Sequence, residues 1–340
     1  MQVFRGFHHP GIARQCALTI GNFDGVHRGH QAMLALLKSE ARHRGLPACV
    51  LTFEPHPRDY FAHKLGKPQL APARIATLRD KLGELDRCGV DQLIVLRFDE
   101  ALASLSAQDF IGQVLVQGLG ARYVLVGDDF RFGARRQGDY ALLDAAGQDA
   151  ANGGGFDVAR MMSYEVHGLR VSSSAVREAL ASGEMDSAAR LLGRPYAISG
   201  HVVHGAKLGR QLDETRPGAG DGFRTLNLRF AHDKPAAQGI FVVRCHGLGD
   251  EPLEGVASLG VRPTVEHAGR VLLEVHCLDW PAGLGPEGAY GKLVRVELLH
   301  KLRDEARFDG LPALTAAIRQ DVADARAFLS TRRQTTRDRI

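Results

Sequence analysis

The decapeptide Gly21-Asn22-Phe23-Asp24-Gly25-Val26-His27-Arg28-Gly29-His30 joins two apolar segments of different periodicity. Ala17 to Ile20, before it, is a short apolar run that reads as a buried first strand. Gln31 to Lys38, after it, carries Met33, Leu34 and Leu37 on one helical face. The decapeptide is therefore a strand-to-helix turn near the start of an α/β unit. Gly21, Gly25 and Gly29 let a backbone come close to a ligand. Amides of the first helical turn point at that ligand, and their partial positive charge favours phosphate. A helix starting between His27 and His30 brings both imidazoles to one small volume. Imidazoles can donate to phosphate oxygens as charge builds in an in-line displacement. A glycine-rich turn with two solvated histidines is the alternative that these residues alone leave open.

Outward from this turn, β-like and helical patterns alternate. Ala48 to Phe53 reads as a second strand, Gln92 to Phe98 as a third and Arg122 to Val126 as a fourth. Arg74 to Cys88 reads as a helix with Ile75, Leu78, Leu82 and Leu85 on one face, and Ser106 to Gly118 as a capped helix. Glu54-Pro55-His56-Pro57-Arg58 reads as a rigid loop rather than a helix start. His56 there either touches substrate or serves only the loop. Alternation of this kind predicts right-handed βαβ units and a parallel sheet, with ligands at the carboxyl ends of its strands. The loops after Ile20, Phe53 and Val126 lie at such ends. The last of them, Gly127-Asp128-Asp129-Phe130-Arg131-Phe132-Gly133, either suits a planar polar ligand or is an ordinary turn with one buried Phe. Phe132 or Phe130 can stack on a ring while Asp129 or Asp128 accepts its N–H groups. Further on, Ser172, Ser173 and Ser174 precede a short helix and are good N-caps. Arg177, one turn in, can reach the same phosphates as the histidines.

Near Gly183 the pattern changes. Met185 to Leu192 is a last helix, and Gly193-Arg194-Pro195 ends helical patterning. Six short runs follow: Ile198 to His204, Thr225 to Phe230, Gly239 to Cys245, Gly255 to Gly260, Val271 to Leu278 and Lys292 to Leu299. Without helices between them they predict a small antiparallel barrel. A final helix, Leu311 to Leu329, carries Leu314, Ile318, Val322 and Leu329 on one face and is expected to dock on it. The basic turn Gly205-Ala206-Lys207-Leu208-Gly209-Arg210 can cradle a phosphate through backbone amides and Lys207. Thr225 and Asn227 lie two apart, so both side chains share one strand face. A hydroxyl and an amide oxygen are suitable Mg²⁺ ligands beside phosphate and water. Glu274 can serve as general base for an alcohol, or simply face solvent from its strand.

Bulk properties fit this picture. A length of 340 residues suggests two domains, and the net charge of +4 suits anionic small ligands. Nucleic acid is not an expected partner, because the basic residues are dispersed and the lone Trp280 offers no stacking platform. Cys16, Cys49, Cys88, Cys245 and Cys277 form no Cys-x-x-Cys pair and read as free thiols. No run has signal-peptide or membrane-spanning length, so a cytoplasmic protein without a membrane partner is expected. A homo-oligomer stays open.

The decapeptide also resembles the His-x-Gly-His signature of the nucleotidyltransferase superfamily, in the form found in the bacterial bifunctional riboflavin kinase/FAD synthetase family. Phe53 to Pro57, the Asp129-Phe130-x-Phe132-Gly133 loop and Ser172-Ser173-Ser174-x-x-Arg177 are similar to that family's flavin- and nucleotide-binding segments. Ser174 stands where the family has Thr. In the second half Gly193-Arg194-Pro195-Tyr196, Gly205 to Arg210, Thr225-x-Asn227, Gly260-x-Arg262-Pro263-Thr264, Leu273-Glu274-Val275-His276 and Leu302-Arg303-Asp304-Glu305 resemble the riboflavin kinase domain in order. The fold implied is α/β: a Rossmann-like nucleotidyltransferase domain with a parallel sheet over residues 1–183, then an antiparallel β-barrel kinase domain with a terminal helix over 184–340. The activities implied are phosphorylation of riboflavin by ATP to FMN, and adenylylation of FMN by ATP to FAD and pyrophosphate. The resemblance implies nucleotide binding by Gly21, Asn22, Phe23, Ser172, Ser173, Ser174, Gly205, Lys207 and Arg210. It implies flavin binding by His56, Asp129, Phe132 and Arg303, Mg²⁺ on Thr225 and Asn227, and catalysis by His27, His30, Arg177 and Glu274. Two departures stand out. A longer Leu212 to Phe223 segment follows Arg210, and Arg224 and Leu226 replace the family's Pro and Ala around Thr225. An adenylyltransferase whose barrel has become a degraded flavin-binding module is the rival reading.

Overall fold

A computed structural model gives the structure for residues 1–149, 155–166, 168–204, 225–230, 232, 234–261, 271–285 and 287–337. The chain divides into two compact units, one of residues 1–72 and 81–172, the other of residues 73–80 and 173–340.

The first unit holds a six-stranded parallel sheet. Its elements are β1 (Gln2–Arg5), β2 (Cys16–Ile20), α1 (Arg28–His43), β3 (Ala48–Glu54), α2 (Pro57–Lys64), α3 (Leu78–Arg87), β4 (Gln92–Arg97), α4 (Glu100–Ser104), α5 (Ala107–Asp109), β5 (Ala121–Gly127), α6 (Tyr140–Gln148) and β6 (Asp157–Met161). The first three residues of α3 fall in the segment assigned to the other unit. The hairpin of β7 (Glu165–Val166) and β8 (Leu169–Arg170) closes the unit. Strand order is β1-β4-β3-β2-β5-β6, every pair parallel. β2 is buried along its whole length, as expected of a strand covered on both faces. On one face Leu18, Leu51, Ile94 and Val126 pack with Phe110, Val114 and Leu115. On the other, Ala17 and Leu125 pack with Leu37 and Ala41 of α1.

Four expectations are corrected here. The sheet has six strands rather than four, so Ala17–Ile20 belongs to the second strand. The two unforeseen strands, β1 and β6, are the sheet's edges, exposed or half-buried at all positions but Phe4 and without a long apolar run. Glu54–Arg58 leads straight into α2: Pro57 occupies the first turn and His56 Nδ1 caps it by accepting from Arg58 N at 3.1 Å. Helix α3 begins at Leu78, not Arg74. Thr77 Oγ1 accepts from Asp80 N at 3.1 Å, while Arg74 bonds through its backbone to Lys234 and Ala236. Ser106 caps α5 as expected, but from Phe110 to Gly118 the helix is wound as a π-helix.

The second unit carries α7 (Ser173–Ala181), α8 (Met185–Leu192) and six strands: β9 (Tyr196–Val203), β10 (Thr225–Arg229), β11 (Gly239–His246), β12 (Leu253–Val261), β13 (Val271–Cys277) and β14 (Leu293–Arg303). They form a closed antiparallel barrel in the order β10-β13-β12-β11-β14-β9. The barrel interior holds Leu226, Leu228, Phe241, Ala257, Leu259, Leu273 and Val296. The last helix, α9 (Leu311–Arg337), packs Val322, Ala325, Phe328 and Leu329 on the outer-facing Ile240, Val242, Val256 and Leu299. Among the described residues no disulfide joins the five cysteines.

In this unit Asp80 accepts from Thr77 Oγ1 at 2.7 Å and Ser199 N at 3.3 Å. Burial nevertheless lifts its carboxyl above the ordinary aspartate range. The folded state therefore holds that proton more tightly than the unfolded chain. Stability from this group falls as pH rises from the ordinary value of about 4 through the raised one, then levels. Asp80→Asn removes that fall. The difference in urea midpoint between variant and parent is expected to shift in the variant's favour over this window. A difference constant with pH would contradict the account.

Candidate functional site

The turn between β2 and α1 is held in a costly backbone. Phe23 and Val26 have φ of 48° and 41°, and Gly25 has φ 83°. A β-branched residue at positive φ is a true outlier, and such conformations persist only where the surroundings fix them. Here Gln31 Nε2 donates to Val26 O at 2.9 Å, Thr52 Oγ1 donates to Asn22 O at 3.3 Å, and Phe23 and Asp24 are almost fully buried. The Asn22 side-chain oxygen is buried and has no hydrogen-bond partner among the described residues.

His27 is the N-cap of α1. Its Nδ1 accepts from His30 N at 3.3 Å, which leaves the proton of the neutral ring on Nε2. The His27 and His30 rings stack at 3.7 Å with 14° between planes, and Phe23 lies 5.0 Å from His30. Gly29 makes room for this stack. A Cβ there would sit 3.2 Å from the His27 ring and 3.3 Å from Val171 O. The two imidazoles thus share one small volume at a helix N-terminus, the arrangement that the three-residue spacing predicts.

Other expected residues lie at neighbouring strand ends. His56 is buried and spends Nδ1 on the α2 cap. Asp129 is exposed. Phe132 is buried against Phe110 at 5.7 Å and Phe130 at 5.3 Å. Asp128 accepts from Ser163 and pairs with Arg170 at 3.3 Å. The Ser163 hydrogen bond, with Arg170's charge, holds its carboxyl below the usual range. An aromatic group not singled out from sequence lies past β3 and β4. Phe98 meets Phe53, Tyr60 and Phe61 edge-on at 5.8, 5.4 and 5.8 Å, with Phe61 44% exposed. The recurrence of aromatics just after the strands was the signal for it. Ser172 ends the first unit, whereas Ser173, Ser174 and Arg177 belong to α7 of the second. Arg177 Nε donates to Ala73 O at 2.7 Å.

On the barrel, alternation sends Leu226, Leu228, Leu273 and Val275 inward and their neighbours outward. Asn227 pairs with Glu274 across β10 and β13, Glu274 pairs with Ser258 across β13 and β12, and Thr225 pairs with His276. One row across the outer face therefore reads Asn227, Glu274, Ser258. Asn227 is 4% exposed, and its side-chain oxygen has no hydrogen-bond partner among the described residues. Ser258 Oγ donates to Glu305 Oε1 at 3.0 Å, and a Cβ on Gly260 would fall within 2.3 Å of the Glu305 carboxylate. Neither Ser258 nor Glu305 was given a role from sequence; only the tertiary fold joins them. Arg303 forks onto Asp321 of α9 through Nε at 2.8 Å and Nη2 at 2.7 Å. Gly205, Lys207, Arg210, the Leu212 to Phe223 segment and Thr264 lie outside the described residues.

A buried amide oxygen that receives no hydrogen bond among the described residues, beside a hydroxyl and a carboxylate on one strand face, is a hard oxygen donor set. It fits a cation such as Mg²⁺, which takes one or two protein oxygens together with phosphates and water.

Comparison with known proteins bears on both units. The FAD synthetase family model matches residues 9–175 and the riboflavin kinase family model residues 192–329. The chain is 46% identical over 330 residues to the bifunctional riboflavin kinase/FMN adenylyltransferase of Escherichia coli K12, covering 96% of this chain and 98% of that one. It is 44% identical to the protein of the same description from Pseudomonas fluorescens, with coverage of 96% and 97%, and 41% identical to that from Haemophilus influenzae, with coverage of 97% and 100%. A solved structure from Streptococcus pneumoniae, described as a macrolide-efflux protein, superposes with a TM-score of 0.70 at 26% identity. It covers 96% of this chain and 99% of its own.

Proposed function

The chain belongs to the bifunctional riboflavin kinase/FMN adenylyltransferase family, and from that premise we propose which of its residues carry each reaction. The enzyme phosphorylates riboflavin with ATP to FMN and adenylylates FMN with ATP to FAD and pyrophosphate. With both family domains present, the rival reading of an adenylyltransferase with a degraded barrel gives way. Residues 1–183 are assigned to adenylyl transfer and 184–340 to the kinase, close to the ranges the two family models match. A cytoplasmic location is part of the same proposal; no helix among the described residues is long and apolar enough to cross a membrane.

For adenylyl transfer, FMN phosphate attacks the α-phosphorus of ATP and pyrophosphate leaves. His27 and His30 donate to the α-phosphate as its charge builds, each contributing about 10²–10³ in rate. Gly21, Asn22 and Phe23 shape the nucleotide side, while Ser172, Ser173, Ser174 and Arg177 add hydroxyl donors and a cation. Asp129, Phe132 and His56 are assigned to the flavin side, where the Phe53, Tyr60, Phe61 and Phe98 rings suit a planar ligand.

For the kinase, Glu274 takes the proton of the ribityl 5′-hydroxyl as its oxygen attacks the γ-phosphorus of ATP, the bond to the β,γ-bridging oxygen breaks and ADP leaves. Asn227 and Thr225 would hold Mg²⁺, which when bound neutralises phosphate charge. Gly205, Lys207 and Arg210 are assigned to ATP phosphates, and Arg303 to the flavin. The observation that carries this assignment is the cross-strand pairing of Asn227 with Glu274, with the amide oxygen buried and without a hydrogen-bond donor among the described residues.

The test incubates the protein with riboflavin and ATP, with Mg²⁺ or with chelator, and separates the flavins. FMN followed by FAD is expected with Mg²⁺, and neither with chelator. Asn227→Ala is expected to raise the Mg²⁺ needed for half-maximal FMN formation by about 10–100-fold or more. It should leave the Mg²⁺ requirement of FAD formation from supplied FMN unmoved. An unchanged requirement for FMN formation would remove Asn227 from the metal site.

A further inference from the structure

Beyond β5 the chain makes a tight turn that the assignments above leave unused. Arg135 and Arg136 have φ of 54° and 57°, two consecutive non-glycine residues in the left-handed region. The turn that carries them is clamped. Phe132 N donates to Gly138 O at 3.1 Å and Gly138 N to Phe132 O at 2.9 Å. Ala134 N donates to Leu105 O at 2.7 Å. The buried Phe132 ring anchors the turn in the core, and Gly133 lies so close to Ala107 that a Cβ would come within 2.7 Å of its backbone. A strained backbone held this firmly fixes where its side chains emerge.

Both arginines are exposed. Arg131, just before them, is paired with Asp139 at 3.2 Å. Among the described residues, neither Arg135 nor Arg136 makes an ion pair or a side-chain hydrogen bond. The turn also grows from the right place. β5 pairs with β2, the strand that leads into the histidine turn. A Cβ on Gly127, at the end of β5, would lie 3.7 Å from Met33 of α1, one turn beyond His30.

We propose that this turn is an anion grip, in which Arg135 and Arg136 hold a phosphate group of the adenylyl-transfer substrates. The inference rests on the reading that residues 1–183 carry that reaction. Adenylyl transfer brings two phosphorylated substrates together, and the histidine pair addresses only the α-phosphate. A second anion needs its own donors, and the planar guanidinium fork suits a phosphate through paired N–H bonds. The ligand chemistry is a phosphate ester or anhydride, supplied by FMN or by the β- and γ-phosphates of ATP.

The test uses the full-length chain with both arginines changed together, Arg135→Ala with Arg136→Ala, Arg135→Gly with Arg136→Gly, and Arg135→Lys with Arg136→Lys. The glycine pair removes charge while relieving the backbone, so it separates the two roles. Steady-state kinetics of FAD formation are measured against FMN and ATP in turn, at low and high salt. The alanine and glycine pairs are expected to raise KM for one phosphorylated substrate at least about tenfold and to flatten its salt dependence. The lysine pair should recover part of the loss. A rise confined to FMN identifies the flavin phosphate as the occupant, and one confined to ATP identifies the polyphosphate. Parental KM values in the glycine pair would overturn the grip and leave the turn a purely structural device. Calorimetric binding of FMN and of inorganic pyrophosphate to parent and glycine pair is run alongside. Were the parent to make no FAD, the adenylyl-transfer reading would fail by itself. Equal affinities of parent and glycine pair for both ligands would still overturn the grip.

Discussion

His30→Ala is expected to abolish FAD formation while FMN formation from riboflavin continues near the parental rate. The His30 ring stacks on His27 at 3.7 Å, at the N-terminus of α1, within the first unit. Its removal deletes one donor proposed for the α-phosphate, an expected loss of about 10²–10³ in rate. It also deletes the stacking partner that holds His27, whose Nδ1 is already engaged with the His30 backbone. That backbone bond survives the substitution, so the α1 cap and the fold should persist. The assay supplies FMN and MgATP in one vessel, riboflavin and MgATP in another. FAD formation at the parental rate from supplied FMN would remove the Gly21–His30 turn from the reaction.

Glu274→Gln is expected to give the converse result. The amide keeps the carboxylate's shape beside Asn227 and Ser258 on the barrel's outer face, but it cannot accept a proton from the ribityl hydroxyl. Loss of a general base typically costs about 10²–10⁴ in rate. FMN phosphate needs no such base, because a phosphate monoester with a second pKa of about 6 is already ionised at neutral pH. No FMN or FAD should form from riboflavin, and FAD should form normally from supplied FMN. Parental FMN production would reduce Glu274 to a strand-face carboxylate. Failure of both reactions would indicate misfolding or a shared site.

What the sequence made legible was local. The β2–α1 turn could be read because its glycines, its histidine spacing and the helical period after it lie within a few residues. The barrel strands could be read because alternation survives in each, as in Val271, Leu273, Val275 and Cys277 against Leu272, Glu274 and His276. Edge strands β1 and β6 escaped because a half-exposed edge needs no apolar pattern. The start of α2 was hidden because Pro-His-Pro looks like a loop until His56 is seen capping it. Arg74 to Thr77 carries a helical period, yet backbone bonds to Lys234 and Ala236 override it. Of the candidate sites, the approach of His27 and His30 followed from their spacing, whereas the Asn227–Glu274 pairing comes from the barrel's register, which the sequence does not show. The Ser258–Glu305 contact and the clamped Arg135–Arg136 turn are tertiary, and no local pattern announces them.

Two reactions at two separate sites of one chain is the central claim, and complementation tests it most directly. Riboflavin and MgATP are given to the His30→Ala protein, to the Glu274→Gln protein, and to an equal mixture of both, and FAD is followed over time. Each variant alone should make no FAD, the first stopping at FMN and the second leaving riboflavin untouched. The mixture should make FAD, because FMN released by the first is a substrate for the second. A mixture that leaves FMN or riboflavin as its end product would contradict the account.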